Sequence, residues 1–173
     1  MLRKPVTRFA NRVSSAPVKK DVFESLNIVY NAIRKGKKRQ GVVLPFELET
    51  GRFIILSDQH KGNRDAADDF ARAEKNYRIA LDYYLKEGFT YINLGDCEEL
   101  WKNEPNIVMK SNEADLASEA KFLRANRYYR IFGNHDLAWK YPLQRNIFLR
   151  PIFGRRLKVY EGVVLQTTYK NEI

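Results

Sequence analysis

Arg52-Phe53-Ile54-Ile55-Leu56-Ser57-Asp58-Gln59-His60-Lys61-Gly62 is the stretch that decides how this chain folds. Phe53 to Leu56 is an unbroken apolar run without the alternation of a half-exposed strand, so Arg52 to Leu56 reads as a buried strand. A carboxylate, an imidazole and a glycine follow at once. The layout recurs twice. Phe89 to Leu94 leads into Gly95-Asp96-Cys97-Glu98-Glu99, and Tyr128 to Phe132 leads into Gly133-Asn134-His135-Asp136. Helical periodicity fills the gaps. One helix is predicted from about Ala66 to Glu87, capped by Asp65, with Phe70, Tyr77, Leu81, Tyr84 and Leu85 on one face and Gly88 past its end. A second is predicted from about Glu113 to Ala125, with Leu116, Ala120 and Leu123 inward. The order β-α-β-α-β predicts an α/β fold with the three strands parallel in one sheet. Parallel sheets present ligands at the carboxyl ends of their strands, so the three motifs are expected at one edge.

Outward from this core the signals weaken. A short helix is expected from Asp21 to about Arg34, with Val22, Leu26, Val29 and Ile33 on one face. Lys37, Lys38 and Arg39 then form a basic loop. Val42 to Phe46 reads as a short edge strand or a lead-in, because Pro45 cannot donate to a ladder. At the other end, Leu157–Tyr160 and Val163–Thr168 flank Glu161-Gly162 and predict an antiparallel hairpin with a two-residue turn. The expected organisation is a basic arm and helix over 1–50, then an α/β domain over 51–173.

The 173 residues suffice for one domain with a sizeable core, and 44% apolar content excludes a disordered chain. No apolar stretch approaches the ~18 residues of a membrane span, and no signal core opens the sequence. The single Cys97 cannot form an internal disulfide, so an intracellular, cytoplasmic setting is expected. The formal charge is +10; residues 1–50 carry 11 basic and 4 acidic side chains, the rest 20 and 17. That arm is either a solvated tail or a handle for nucleic acid; an Arg-rich transit peptide has the same composition.

The donors of the three motifs suit a hard or borderline divalent cation. Asp58 and His60, two apart in an extended segment, would project to the same side. Asp96, with two carboxylate oxygens at a tight turn, can bridge two ions. Asn134 offers an uncharged amide oxygen. His135 can protonate a leaving oxygen, with Asp136 holding its tautomer. Glu99 can orient a ligand from behind. Each motif alone also fits an ordinary turn, and Cys97 fits a small packing residue. Three in sequence, each after a strand and together using both histidines, point to a metal centre. Trp101, Trp139, Tyr141 and Phe148 follow the motifs and either line a pocket or pack.

From Phe53 to Asp136 the chain resembles the calcineurin-like metallophosphoesterases, through Asp58-x-His60, Gly95-Asp96-x-x-Glu99 and Gly133-Asn134-His135-Asp136. The run Glu98-Glu99-Leu100-Trp101 is similar to the bacterial branch near the UDP-diacylglucosamine pyrophosphohydrolases, although His135 stands where those hydrolases tend to have Arg. The resemblance implies part of a β-sandwich flanked by helices, and two divalent ions (manganese, iron or zinc). Asp58 and His60 would hold one ion, Asp96 would bridge, and Asn134 would hold the other. His135 and Asp136 would serve catalysis at a phosphate ester attacked by metal-activated water. The family also carries histidines further downstream. None follows His135 here, so the chain is expected to be the N-terminal part of a longer domain, and whether it is active alone is left open. A nuclease of the same chemistry and a non-catalytic scaffold are the alternatives.

Overall fold

A computed structural model describes residues 18–37 and 40–168. Most of the basic arm, and Lys38 and Arg39 of the basic loop, lie outside the described residues. The elements are α1 (Lys19–Arg34), β1 (Gly41–Glu47), β2 (Phe53–Leu56), α2 (Phe70–Lys86), β3 (Thr90–Asn93), α3 (Pro105–Ser111), α4 (Glu113–Arg124), β4 (Tyr128–Ile131), β5 (Val159–Tyr160) and β6 (Gly162–Thr168). Short helical turns fill Leu137–Phe153.

The α/β class and the parallel arrangement are as the sequence predicts. β2, β3, β4 and β5 form one sheet in that order, every pair parallel. One face is covered by α2, α4 and the turns after Leu137. There Tyr91 and Tyr128 meet Tyr77, Leu81, Leu116, Phe122, Trp139, Leu149 and Phe153, all buried. Each fully buried large apolar side chain contributes about 1.5–3 kcal/mol, so this face dominates the hydrophobic stabilisation.

Three expectations are corrected. α2 begins at Phe70, not Ala66. The carboxylate of buried Asp68 accepts the Gly62, Arg64 and Ala71 N–H groups (3.2, 3.0 and 3.3 Å), which holds residues 65–69 as a brace for the first motif loop. On α1 only Ala32 and Ile33 are buried, with Val29 partly covered; Val22 and Leu26 stay exposed because only the helix end meets β1 and β6. The C-terminal hairpin does not form. β5 joins β4, whereas β6 pairs in parallel with β1, from Gly41↔Gly162 to Glu47↔Thr168. Glu161 and Gly162 carry the chain between the two sheets, and both of their N–H groups donate to the Gln40 carbonyl (2.8 and 3.1 Å). A Cβ on Gly41 would lie 2.3 Å from the Gly162 carbonyl oxygen, so this approach requires glycine. Phe46 on β1 packs edge-on against Phe53 on β2 (5.2 Å, 82°) and ties the sheets together.

Candidate metal centre

The motif loops meet because the parallel ladder continues past the strand ends. Asp58, His60 and Lys61 donate their N–H groups to the carbonyls of Gly95, Asp96 and Cys97 (3.1, 3.0 and 2.8 Å), and Glu99 N–H returns to the Lys61 carbonyl (3.0 Å). The third loop closes on the second. His135 N–H donates to Asp96 Oδ1 (2.9 Å), Cys97 N–H to Asp136 Oδ2 (3.1 Å) and Leu100 N–H to the His135 carbonyl (3.2 Å). Gly95 (φ +96°) and Gly133 allow this approach. A Cβ on Gly95 would lie 2.5 Å from Gly133 N, and one on Gly133 would lie 2.1 Å from Asp96 Oδ1.

Asp58, His60 and Asp96 each offer one ligand atom within 4.8 Å of the others. They do so for a reason unlike the one expected. Asp58 (φ +54°), His60 (φ +46°) and Asp96 (φ +51°) are left-handed, not extended, and are three of the five non-glycine residues with positive φ among the described residues. Asp, Asn and His tolerate this region better than most residues, yet it costs roughly 1–2 kcal/mol each. The strain is concentrated on three neighbouring donor side chains. His60, Glu99 and His135 form a second such group, so His60 belongs to both. Asn134 lies exposed in the third loop, its carbonyl accepting the Trp101 indole N–H (2.7 Å). A cleft of about 540 Å³ opens beside Asp58, His60 and Glu99 and is lined further by Asn63, Lys102 and Asn103.

The partners of His135 differ from expectation. Its Nδ1 meets Glu99 Oε2 (2.8 Å), and its ring stands edge-on to that of His60 (4.4 Å, 89°). Burial pushes the Glu99 carboxyl up, but the His135 and Trp101 N–H bonds outweigh it and leave its pKa below the usual value. Asp136 does not support His135. It is fully buried, and its carboxylate accepts Gly133 N–H (2.6 Å), Cys97 N–H and the Arg130 guanidinium (3.4 Å). The acid immediately after the histidine turns inward, to the Gly133 and Cys97 N–H groups and the Arg130 guanidinium. Trp101, exposed, stacks on His135 (4.0 Å, 21°), whereas Trp139 is buried in the core.

Sequence reasoning missed the floor of the site. Lys61, Glu98, Glu119 and Arg130 are all fully buried. Lys61 Nζ donates to Glu119 Oε1 (2.8 Å) and lies over the rings of Phe70 and Tyr77. The Tyr77 hydroxyl donates to the same Glu119 oxygen (2.9 Å) and the Tyr128 hydroxyl to the other. Arg130 pairs with Glu98, which also accepts the Trp139 indole N–H (2.7 Å). Two signals were available: Arg130 interrupts an apolar strand, and Glu119 shares the inward face of Leu116, Ala120 and Leu123. A charge at a core position demands a partner.

No protein-family model matches the chain, and neither a curated protein nor a solved structure does.

The Gly133 contact gives a direct test of the convergence. Gly133→Ala is expected to push the Asp96 carboxylate and backbone aside, and to weaken any Mn²⁺ binding at Asp58, His60 and Asp96 by about 10-fold or more, while the circular dichroism stays native. Titration calorimetry measures it; unchanged affinity would show that the Asp96–Gly133 approach is irrelevant to the ion.

Proposed function

We propose that the chain carries a divalent-cation centre of a metal-dependent phosphoester hydrolase of the calcineurin-like type. The observation that carries this reading is the set Asp58, His60 and Asp96, delivered by two adjacent strand ends in left-handed conformations with their donor atoms within 4.8 Å. Mixed carboxylate and imidazole donors fit manganese, iron or zinc. These three residues would hold one ion. Asp96 and Asn134 would be the donors for a second, and Glu99 and His135 stand at the far side of His60. When bound, such ions supply positive charge for phosphoryl oxygens and an acidified water.

The chain's own residues account for the remaining work. Glu99 accepts the proton-bearing Nδ1 of His135 and thereby fixes the tautomer. Nε2 is then the ring nitrogen left to exchange a proton with the leaving oxygen. Trp101 covers one face of the imidazole and holds the Asn134 carbonyl, so the ring and the loop that carries it are restrained together. The cleft beside His60 admits the phosphate ester, with Lys102 and Asn103 on its wall. The basic surplus behind the nuclease alternative lies largely outside the described residues and adds no geometry to it.

Elemental analysis of the purified chain, followed by hydrolysis of p-nitrophenyl phosphate and bis-p-nitrophenyl phosphate with added Mn²⁺, tests the proposal. Bound metal near one equivalent or more and metal-dependent release of nitrophenol are expected. Absence of both metal and saturable Mn²⁺ binding would end it.

A further inference from the structure

A second cleft runs along β5 and past the end of β4, and no step proposed so far uses it. It has a volume of about 680 Å³ and is lined by Lys140, Arg145, Arg156 and Lys158, with Phe132, Tyr160 and Glu161 among the other walls. The charges do not cancel. Glu161 is the sole acid in the lining, and it is shared between Lys140 (3.7 Å) and the Gln40 amide (3.4 Å). Arg145, Arg156 and Lys158 have no carboxylate partner among the described residues. Arg145 is nevertheless fixed. Its Nη1 donates to the carbonyls of Trp139 and Lys140, which holds the guanidinium in place without neutralising it.

Partial burial and then the Arg156 charge push the Arg145 pKa below the usual arginine value, so the two cations repel each other. Like charges held together, one of them anchored by carbonyls, attract an anion into the space between them. Guanidinium forks match phosphate oxygens in pairs. Phe132 lines this cleft and is two residues before Asn134, a backbone reach of at most about 7 Å. Lys140, whose Nζ lies 5.8 Å from the Phe132 ring centroid, stands at the end of the cleft next to the third motif loop, so a ligand with one phosphate at that loop would enter the cleft from this end.

We propose that the cleft of Lys140, Arg145, Arg156 and Lys158 binds a phosphate group other than the one that reacts, so that the preferred substrate carries at least two phosphates. The inference rests on the hydrolase reading for its second clause only; the anion site stands or falls separately.

The test begins with metal-free protein and inorganic phosphate in titration calorimetry. Arg156→Ala/Lys158→Ala removes two exposed side chains that brace nothing else, so the fold is preserved. It is compared with Arg72→Ala/Lys75→Ala, which removes the same charge from the exposed face of α2. Loss of two charge-assisted contacts is expected to weaken phosphate by about 10-fold or more in the cleft variant and to leave the α2 variant near wild type. Equal losses in both variants, or no saturable binding by wild type below about 10 mM, overturn the site. In the second arm, turnover of p-nitrophenyl phosphate is compared with that of a nucleoside 3′,5′-bisphosphate. The cleft variant is expected to raise KM about 10-fold for the bisphosphate alone, with kcat unchanged. A similar KM change for both esters overturns the second-phosphate role. Phosphate binding lost only in the cleft variant, with no ester hydrolysed by any protein, upholds the anion site and removes the hydrolase reading instead.

Discussion

Asp96→Asn is expected to lower Mn²⁺ affinity, and metal-dependent ester hydrolysis in active preparations, by roughly 100-fold or more. The change is small in shape and large in charge. Asparagine tolerates the left-handed backbone of this position, and its amide oxygen can still accept the His135 N–H now held by Asp96 Oδ1 at 2.9 Å. The loops should therefore keep their places. What disappears is one of the two carboxylate charges, Asp58 and Asp96, that would attract a divalent ion at the proposed centre. Titration calorimetry, metal content and turnover measure the effect, and thermal unfolding checks that the fold survives. Native metal content and native turnover in this variant would remove Asp96 from the centre.

Glu119→Gln should cost about 3–5 kcal/mol of stability, the scale for breaking a buried ion pair by removing one partner. That is a large share of the ~5–15 kcal/mol that holds a domain of this size together. Glu119 and Lys61 are both fully buried, and Glu119 also accepts the Tyr77 and Tyr128 hydroxyls. Glutamine keeps the volume but leaves the Lys61 ammonium without a counter-charge. Adding Lys61→Met should recover part of the loss, since an apolar pair of similar size avoids the desolvation of both charges. Chemical denaturation measures both variants. A change below 1 kcal/mol for Glu119→Gln would mean that solvent reaches the pair.

The pH dependence carries a sign. Burial pushes the Glu119 carboxyl up, but Lys61, Arg130 and the hydrogen bonds outweigh this and leave its pKa below the usual glutamate value. A depressed carboxyl stabilises above its unfolded pKa, and the contribution fades as pH falls through the folded pKa. The stability gap between wild type and Glu119→Gln should therefore be full near pH 7 and should shrink in the acid range below about pH 4. For Lys61, burial pulls its pKa down, yet Glu119, Cys97 and Glu98 together outweigh this and leave it raised, so its own contribution disappears only at strongly alkaline pH.

The strand-to-loop transitions were legible because each coupled an apolar run to a turn residue, and such local signals survive in any tertiary setting. The start of α2 was not, because Asp68 is drawn to the N–H groups of Gly62 and Arg64, and no helical periodicity encodes that pull. The hairpin failed for a similar reason. Periodicity marks Val163–Thr168 as a strand, but only packing decides that its neighbour is β1 rather than β5.

By itself the sequence determined the α/β class, the parallel order of the three central strands and the carboxyl-edge placement of Asp58, His60, Asp96 and His135. Each depends on residues close together along the chain. Only the tertiary structure decided that Glu99, not Asp136, holds His135, that Trp101 lies against that ring, and that Lys61 and Arg130 stand buried beneath the loops. A buried charge or an unpaired N–H takes whichever partner the fold brings near, and nearness across the sheet is not written in spacing along the chain.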